Sequence, residues 1–127
     1  MTDLADKFLT LELDVSEFGH KAHVQVAFEL LCRCRFMEAT TLYADRLADI
    51  TRQIGLPEKF NMTVTVAFMG LIAERIQDVP AENFSDFIAQ NPDLLDSRVL
   101  SRWYSKERLS SSLSRSVFLL PDLVPVI

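Results

Sequence analysis

His20 and His23 are the two imidazoles in a chain of 127 residues, and they lie three positions apart. On a helix that spacing puts two side chains one turn apart on neighbouring faces. The pattern suits two ligands of a transition metal, or two groups that exchange protons near neutral pH. A metal needs a third ligand and usually a fourth. The thiols, Cys32 and Cys34, are separated by one residue. On a helix they diverge by about 200°, which prevents a mutual disulfide and leaves a C-x-C half-site without a second half. Reduced thiols in a cytoplasm are the expectation. Nucleophilic serine chemistry finds no G-x-S-x-G elbow, and the serine-rich run 110–116 reads as small-residue helix packing. Three glycines, Gly19, Gly55 and Gly70, are too dispersed to form a phosphate loop.

The elements that must position the histidines can be read from periodicity. Val24, Ala27, Phe28 and Leu31 recur at i, i+3, i+4 and i+7, a helical stripe. His20 projects in nearly the same direction and His23 lies at the edge of that face, so both imidazoles are expected to point inward. This first helix is expected to run to about Arg33, with either Ser16 or Gly19 as its cap. A second, about Phe36 to Ile54, carries Ala39, Tyr43, Leu47, Ile50 and Ile54 on one side. Gly55 and Pro57 close it. A third, about Phe60 to Gln77, is the least polar and is expected to be the most central. A buried strand from Met62 to Met69 competes, because Thr63 to Val66 are all β-branched, but the residues from Leu71 to Ile76 continue well as helix. On that third helix Asn61 and Thr65 share a face with Phe68 and Ile72. The expected result is an internal polar pocket between the first and third helices, made by His20, His23, Asn61, Thr65 and Tyr43. The plain alternative is that these groups hydrogen-bond one another and the backbone and only specify the packing.

The ends of the chain look different. Leu9, Leu11, Leu13 and Val15 alternate with Thr10, Glu12 and Asp14, a strand-like pattern. No second run alternates like it, so residues 1–15 are expected to form an extended arm, laid over helices or paired with its copy. After Pro80 a short helix turns Phe84, Phe87 and Ile88 inward. Asn91-Pro92-Asp93 opens a fifth helix, to about Arg102. Ser105 and Glu107 open a sixth, with Leu109, Leu113 and Val117 at i, i+4 and i+8. Pro121 ends regular structure, and Leu123 to Ile127 form an apolar, extended tail.

Composition bounds the class. Apolar residues make up 49% and charged residues 24%, an ordinary globular mix for a single domain. Thirteen basic and eighteen acidic residues give a net charge of −5 with no basic stripe, so nucleic acid is not an expected partner. The opening residues lack the basic and apolar regions of a secretory leader. The longest nearly apolar run, Val64 to Ala73, is about half of what a bilayer requires, so no membrane association is expected.

Several of these positions also form a pattern. Phe18 stands two residues before His20-x-x-His23; Phe60, Thr63 and Thr65 open a later helix; Asn91, Pro92, Leu94 and Leu95 follow, then Tyr104-Ser105 and Pro121-Asp122. Over about residues 16–122 the chain resembles a family of small, all-helical, uncharacterised bacterial proteins. Their pattern has an aromatic before H-x-x-H, an aromatic-H-E-T-hydrophobic-T helix start, an N-P-x-L-L-like element, a Y-S pair and a terminal P-D. Where that family has His-Glu, this chain has Asn61-Met62. His and Glu are the residues that would complete a metal site or an acid–base pair. The resemblance therefore implies the fold, and a member that has lost such chemistry.

The reading from sequence is thus an all-α fold, a single bundle of five to six helices. Residues 1–15 form the arm, 16–120 the bundle and 121–127 the tail. The expected function is a non-enzymatic module that binds a small ligand or a protein partner, with no metal or cofactor and no catalytic residue. The alternative is a metal-dependent or His-based enzyme using His20 and His23. Nine aliphatic side chains in the arm and tail point to a twofold homodimer.

Overall fold

The computed structural model describes residues 2–123, and every regular element among them is helical. The described residues form seven α-helices: α1 (Asp3–Thr10), α2 (His20–Arg33), α3 (Phe36–Gln53), α4 (Met62–Asp78), α5 (Phe84–Gln90), α6 (Lys106–Ser110) and α7 (Ser112–Ser116). Short 3-10 turns occur at Val15–Glu17, Pro57–Lys59, Pro92–Leu95 and Val99–Arg102.

The middle of the bundle is α2, α3 and α4, each packed against the other two. Gly19 caps α2 with its backbone alone, and Ser16 belongs to the preceding turn. Gly55 follows α3 at φ 75°, a left-handed conformation open to glycine at no steric cost. The segment from Met62 to Met69 is helix, not strand. Val24, Val26 and Leu30 from α2, Ala39 from α3, and Met69 and Ile72 from α4 are sealed from solvent and meet in one core. On the far side, Phe28 packs on Phe84 and Phe87 of α5, with ring centroids 5.8 and 4.6 Å apart.

The extended arm is corrected. Residues Asp3–Thr10 are helical, and the helix begins on Thr2, whose hydroxyl accepts the Ala5 N–H at 3.4 Å. Asp3 and Asp6 occupy the first turn, where carboxylates favour the positive helix end. The deciding pattern is Leu4, Ala5, Phe8 and Leu9, a helical face, with Ala5 and Phe8 fully buried. Leu11 stops the helix at φ 62°, and the N–H groups of Leu11 and Glu12 bond back to the carbonyls of Phe8 and Lys7. Arg46 Nε donates to the Leu9 carbonyl at 2.8 Å. Leu11 and Leu13 then pack against the same core as the chain crosses the bundle. Their alternation reflects that crossing; Leu4, Leu9, Leu11 and Leu13 are partly covered by their own chain, while Val15 stays exposed.

Two later helices are broken where one continuous helix was expected in each place. Asn91-Pro92 opens only a 3-10 turn, Pro92–Leu95, and a second turn follows at Val99–Arg102. Between them Asp96 Oδ1 accepts the Arg98 N–H at 2.9 Å, a local bond that competes with helix. The serine run breaks the last helix in the same way. Ser111 ends α6 and its hydroxyl caps α7 through the Ser114 N–H at 3.1 Å. Ser114 is the fully buried residue of α7, while Leu113 and Val117 face solvent.

The C-terminal stretch is fastened by hydrogen bonds. Thr63 donates to the Val117 carbonyl at 2.7 Å and accepts the Leu119 N–H at 3.0 Å. Tyr104 donates to the Leu119 carbonyl at 2.8 Å. Ser105 gives its N–H and its hydroxyl to the Asp122 carboxylate at 2.8 and 2.5 Å, which holds that carboxyl below its ordinary range. The Leu123 N–H reaches the Trp103 carbonyl at 3.0 Å. Of the expected tail, Val124 to Ile127 lie outside the described residues.

Candidate functional site

A cavity of about 450 Å³ lies among α2, α3 and the first half of α4. All five residues singled out from the sequence border it: His20, His23, Tyr43, Asn61 and Thr65. They play different parts.

Asn61 and Thr65 are committed to structure. Asn61 is the cap of α4, its side-chain oxygen accepting the Val64 N–H at 3.0 Å and the Ser114 hydroxyl at 2.9 Å. Its amide nitrogen donates to the Leu109 carbonyl at 2.7 Å. One side chain therefore starts α4 and ties down α6 and α7. Thr65 donates to the Asn61 carbonyl at 2.7 Å, inside its own helix. Asn61 and His20 border the same cavity, but the hydrogen bonds of the Asn61 amide run to Val64, Leu109 and Ser114 and not to His20.

The histidines are held by neighbouring elements. His20 Nε2–H donates to the Leu94 carbonyl at 2.8 Å. That carbonyl is positioned from α4. Arg75 grips the Asp93 carboxylate through both terminal nitrogens, at 2.9 and 2.8 Å, and also reaches Asn91 Oδ1 at 3.0 Å. The bidentate pair lifts the Arg75 pKa and lowers that of Asp93. On its other side His20 meets the edge of Phe68, centroids 5.3 Å apart.

His23 sits deeper. Its ring stacks on Phe18 at 4.0 Å. The Tyr43 hydroxyl is 3.2 Å from His23 Nδ1 and 3.3 Å from the His23 carbonyl. Its single proton goes to one of these. If it goes to the carbonyl, Nδ1–H donates to the phenol oxygen, and both arrangements satisfy a neutral pair. Burial pushes the His23 pKa from 6.5 down to about 4, the nearby His20 adds to this, and a backbone contact with Phe18 partly opposes it. Burial likewise pushes the Tyr43 phenol well above its ordinary value. At neutral pH the inner part of the cavity therefore carries no charge on either group.

The rest of the wall is largely apolar: Val24, Leu47, Ile50, Val64, Phe68 and Ile72 supply most of it. Val64 and Phe68 lie on the apolar stripe of α4 yet are only half-buried, because they face this space. The exposed Lys59, in the turn before α4, stands on the border, and no Asp or Glu does. Sequence periodicity missed Lys59 and Ser97, which sit in turns where no repeat marks a direction. Phe68 was on the predicted face, and its helical register with Thr65 was the available signal.

The thiols take no part. Cys32 and Cys34 are unpaired. Burial raises the Cys32 pKa, and a hydrogen bond with Glu38 raises that of Cys34, so neither is a ready thiolate. Among the described residues no three His, Cys, Asp or Glu side chains are grouped to hold a metal ion. No protein-family model matches the chain, and comparison with curated proteins and with solved structures returns no match.

Proposed function

We propose that this chain is a non-enzymatic module that binds one small molecule in the cavity among α2, α3 and α4. The observation that carries the reading is the cavity itself. Its volume of about 450 Å³ falls in the range of small-molecule sites, and its wall is apolar with a few convergent polar groups. A half-open recess of this kind suits a small ligand better than a flat protein surface.

A His-based enzyme is the weaker reading. A general base works best with a pKa near the operating pH, and that of His23 is lowered to about 4. His20 Nε2 is tied to a backbone carbonyl. A metal-dependent enzyme would need donors beyond these two rings.

The test is saturable uptake of an uncharged, environment-sensitive apolar dye. The wild-type chain is expected to bind one dye per chain with a rise in fluorescence. Val64→Phe narrows the cavity from a half-buried wall position and is expected to weaken binding at least tenfold, with the far-ultraviolet dichroism unchanged. Equal binding by the narrowed variant, or no saturable binding by the wild type, overturns the proposal.

A further inference from the structure

The cavity wall has a charge pattern at odds with the chain as a whole. The chain carries eighteen acidic residues and a net charge of −5, yet no carboxylate borders the cavity. Lys59 is the one Lys or Arg side chain among the residues that border it. Lys59 is solvent-exposed and makes no ion pair among the described residues. Glu58, beside Lys59 in the chain, makes no ion pair among the described residues but does not border the cavity, and two other carboxylates next to lining residues are engaged. Asp96 accepts from the Arg98 backbone and guanidinium. Asp14, beside the cavity residue Val15, accepts from both the N–H and the hydroxyl of Ser16.

Behind Lys59 the wall turns apolar, and the polar groups further in, His23 and Tyr43, are satisfied as a neutral pair. A charged group driven that far would lose its hydration without a counter-charge. A ligand that fits this gradient is charged at one end only, with the charge left at the wet rim and an apolar body inside. A cationic head would meet Lys59 with repulsion and find no carboxylate in the wall. We infer that the ligand is an amphipathic monocarboxylate, its head beside Lys59 and its aliphatic or aromatic body against Val24, Leu47, Ile50 and Phe68. This inference rests on the reading of the cavity as a ligand site and adds the chemistry of the ligand.

Three probes of one length separate the two claims: octanoate, 1-octanol and octylamine, each titrated calorimetrically into the full chain. Octanoate is expected to bind about fivefold tighter than octanol, the size of a partly exposed charge contact, and octylamine more weakly than either. Raised salt should narrow the gap between octanoate and octanol. Lys59→Glu, at an exposed position, should reverse the order of octanoate and octylamine while leaving octanol unchanged. If octanol binds as well as octanoate, or if Lys59→Glu leaves the preference intact, the carboxylate inference falls and the cavity remains a site for neutral ligands. If the wild type binds none of the three, the inference falls together with the reading on which it rests.

Discussion

His23 links the chemistry of the cavity to the stability of the whole chain. Its pKa is about 4 in the folded protein and near 6.5 when the ring is free in water. Between these values the unfolded chain holds the extra proton, so acid favours unfolding and stability rises with pH. The contribution is complete above pH 6.5, is lost as pH falls towards 4, and levels off below that. Its full size is about 3 kcal/mol. His20 faces the same region and adds to the depression, so replacing it should relax part of the effect. His23→Gln removes the titration but keeps a partner for Tyr43. The urea midpoint of the wild type is therefore expected to fall between pH 7 and pH 4.5 by more than that of His23→Gln. Parallel pH profiles for the two proteins would show that His23 is not held neutral by its surroundings.

Individual helices in this bundle depend on what polar side chains do at their ends and backs, and two threonines make the contrast measurable. Thr63, fully buried on α4, serves the backbone of the C-terminal stretch at both Val117 and Leu119. Thr40, on α3, is also buried, but its hydroxyl has no partner. Threonine and valine have nearly the same shape, so the same substitution should have opposite results. Thr63→Val leaves a carbonyl and an N–H without partners and is expected to cost about 2 kcal/mol, with faster hydrogen exchange at Leu119. Thr40→Val removes an unsatisfied buried group and is expected to be neutral or stabilising by about 1 kcal/mol. Equal losses at both sites would contradict this division. The same logic explains how far the elements were legible. Long helices with an uninterrupted stripe, α2, α3 and α4, are written in apolar spacing, and the five pocket residues followed from their register. The breaks at Asp96 and Ser111 are made by short polar side chains bonding to nearby backbone, which periodicity does not see. The first helix was obscured because Leu9, Leu11 and Leu13 mimic a strand, while the residues that decide the matter, Thr2, Ala5 and Phe8, precede most of that run.

At the scale of the molecule, α1 is the element whose placement reaches furthest, because it props the cavity wall from behind. It packs on both α2 and α3. Its one large, fully buried side chain, Phe8, lies with its ring centroid 5.5 Å from Phe18 and 5.4 Å from Tyr43. Phe18 in turn stacks on His23, and Tyr43 holds the same imidazole by its hydroxyl. Phe8 thus touches both groups that fix His23 without bordering the cavity itself. Trimming Phe8 opens space into which Phe18 and Tyr43 can shift, so it should loosen the site as well as the core. Phe87 is the right control. It is equally buried, but it packs on Phe28 at the α5 side, away from the cavity wall. Phe8→Leu and Phe87→Leu are each expected to cost about 1–2 kcal/mol while leaving the chain folded. They should differ in function. Phe8→Leu is expected to weaken binding of the apolar dye severalfold, whereas Phe87→Leu leaves its affinity within twofold of the wild type. Equal affinity in the two variants would mean that α1 stabilises the bundle without shaping the cavity, and the first helix would then be a buttress for the core alone.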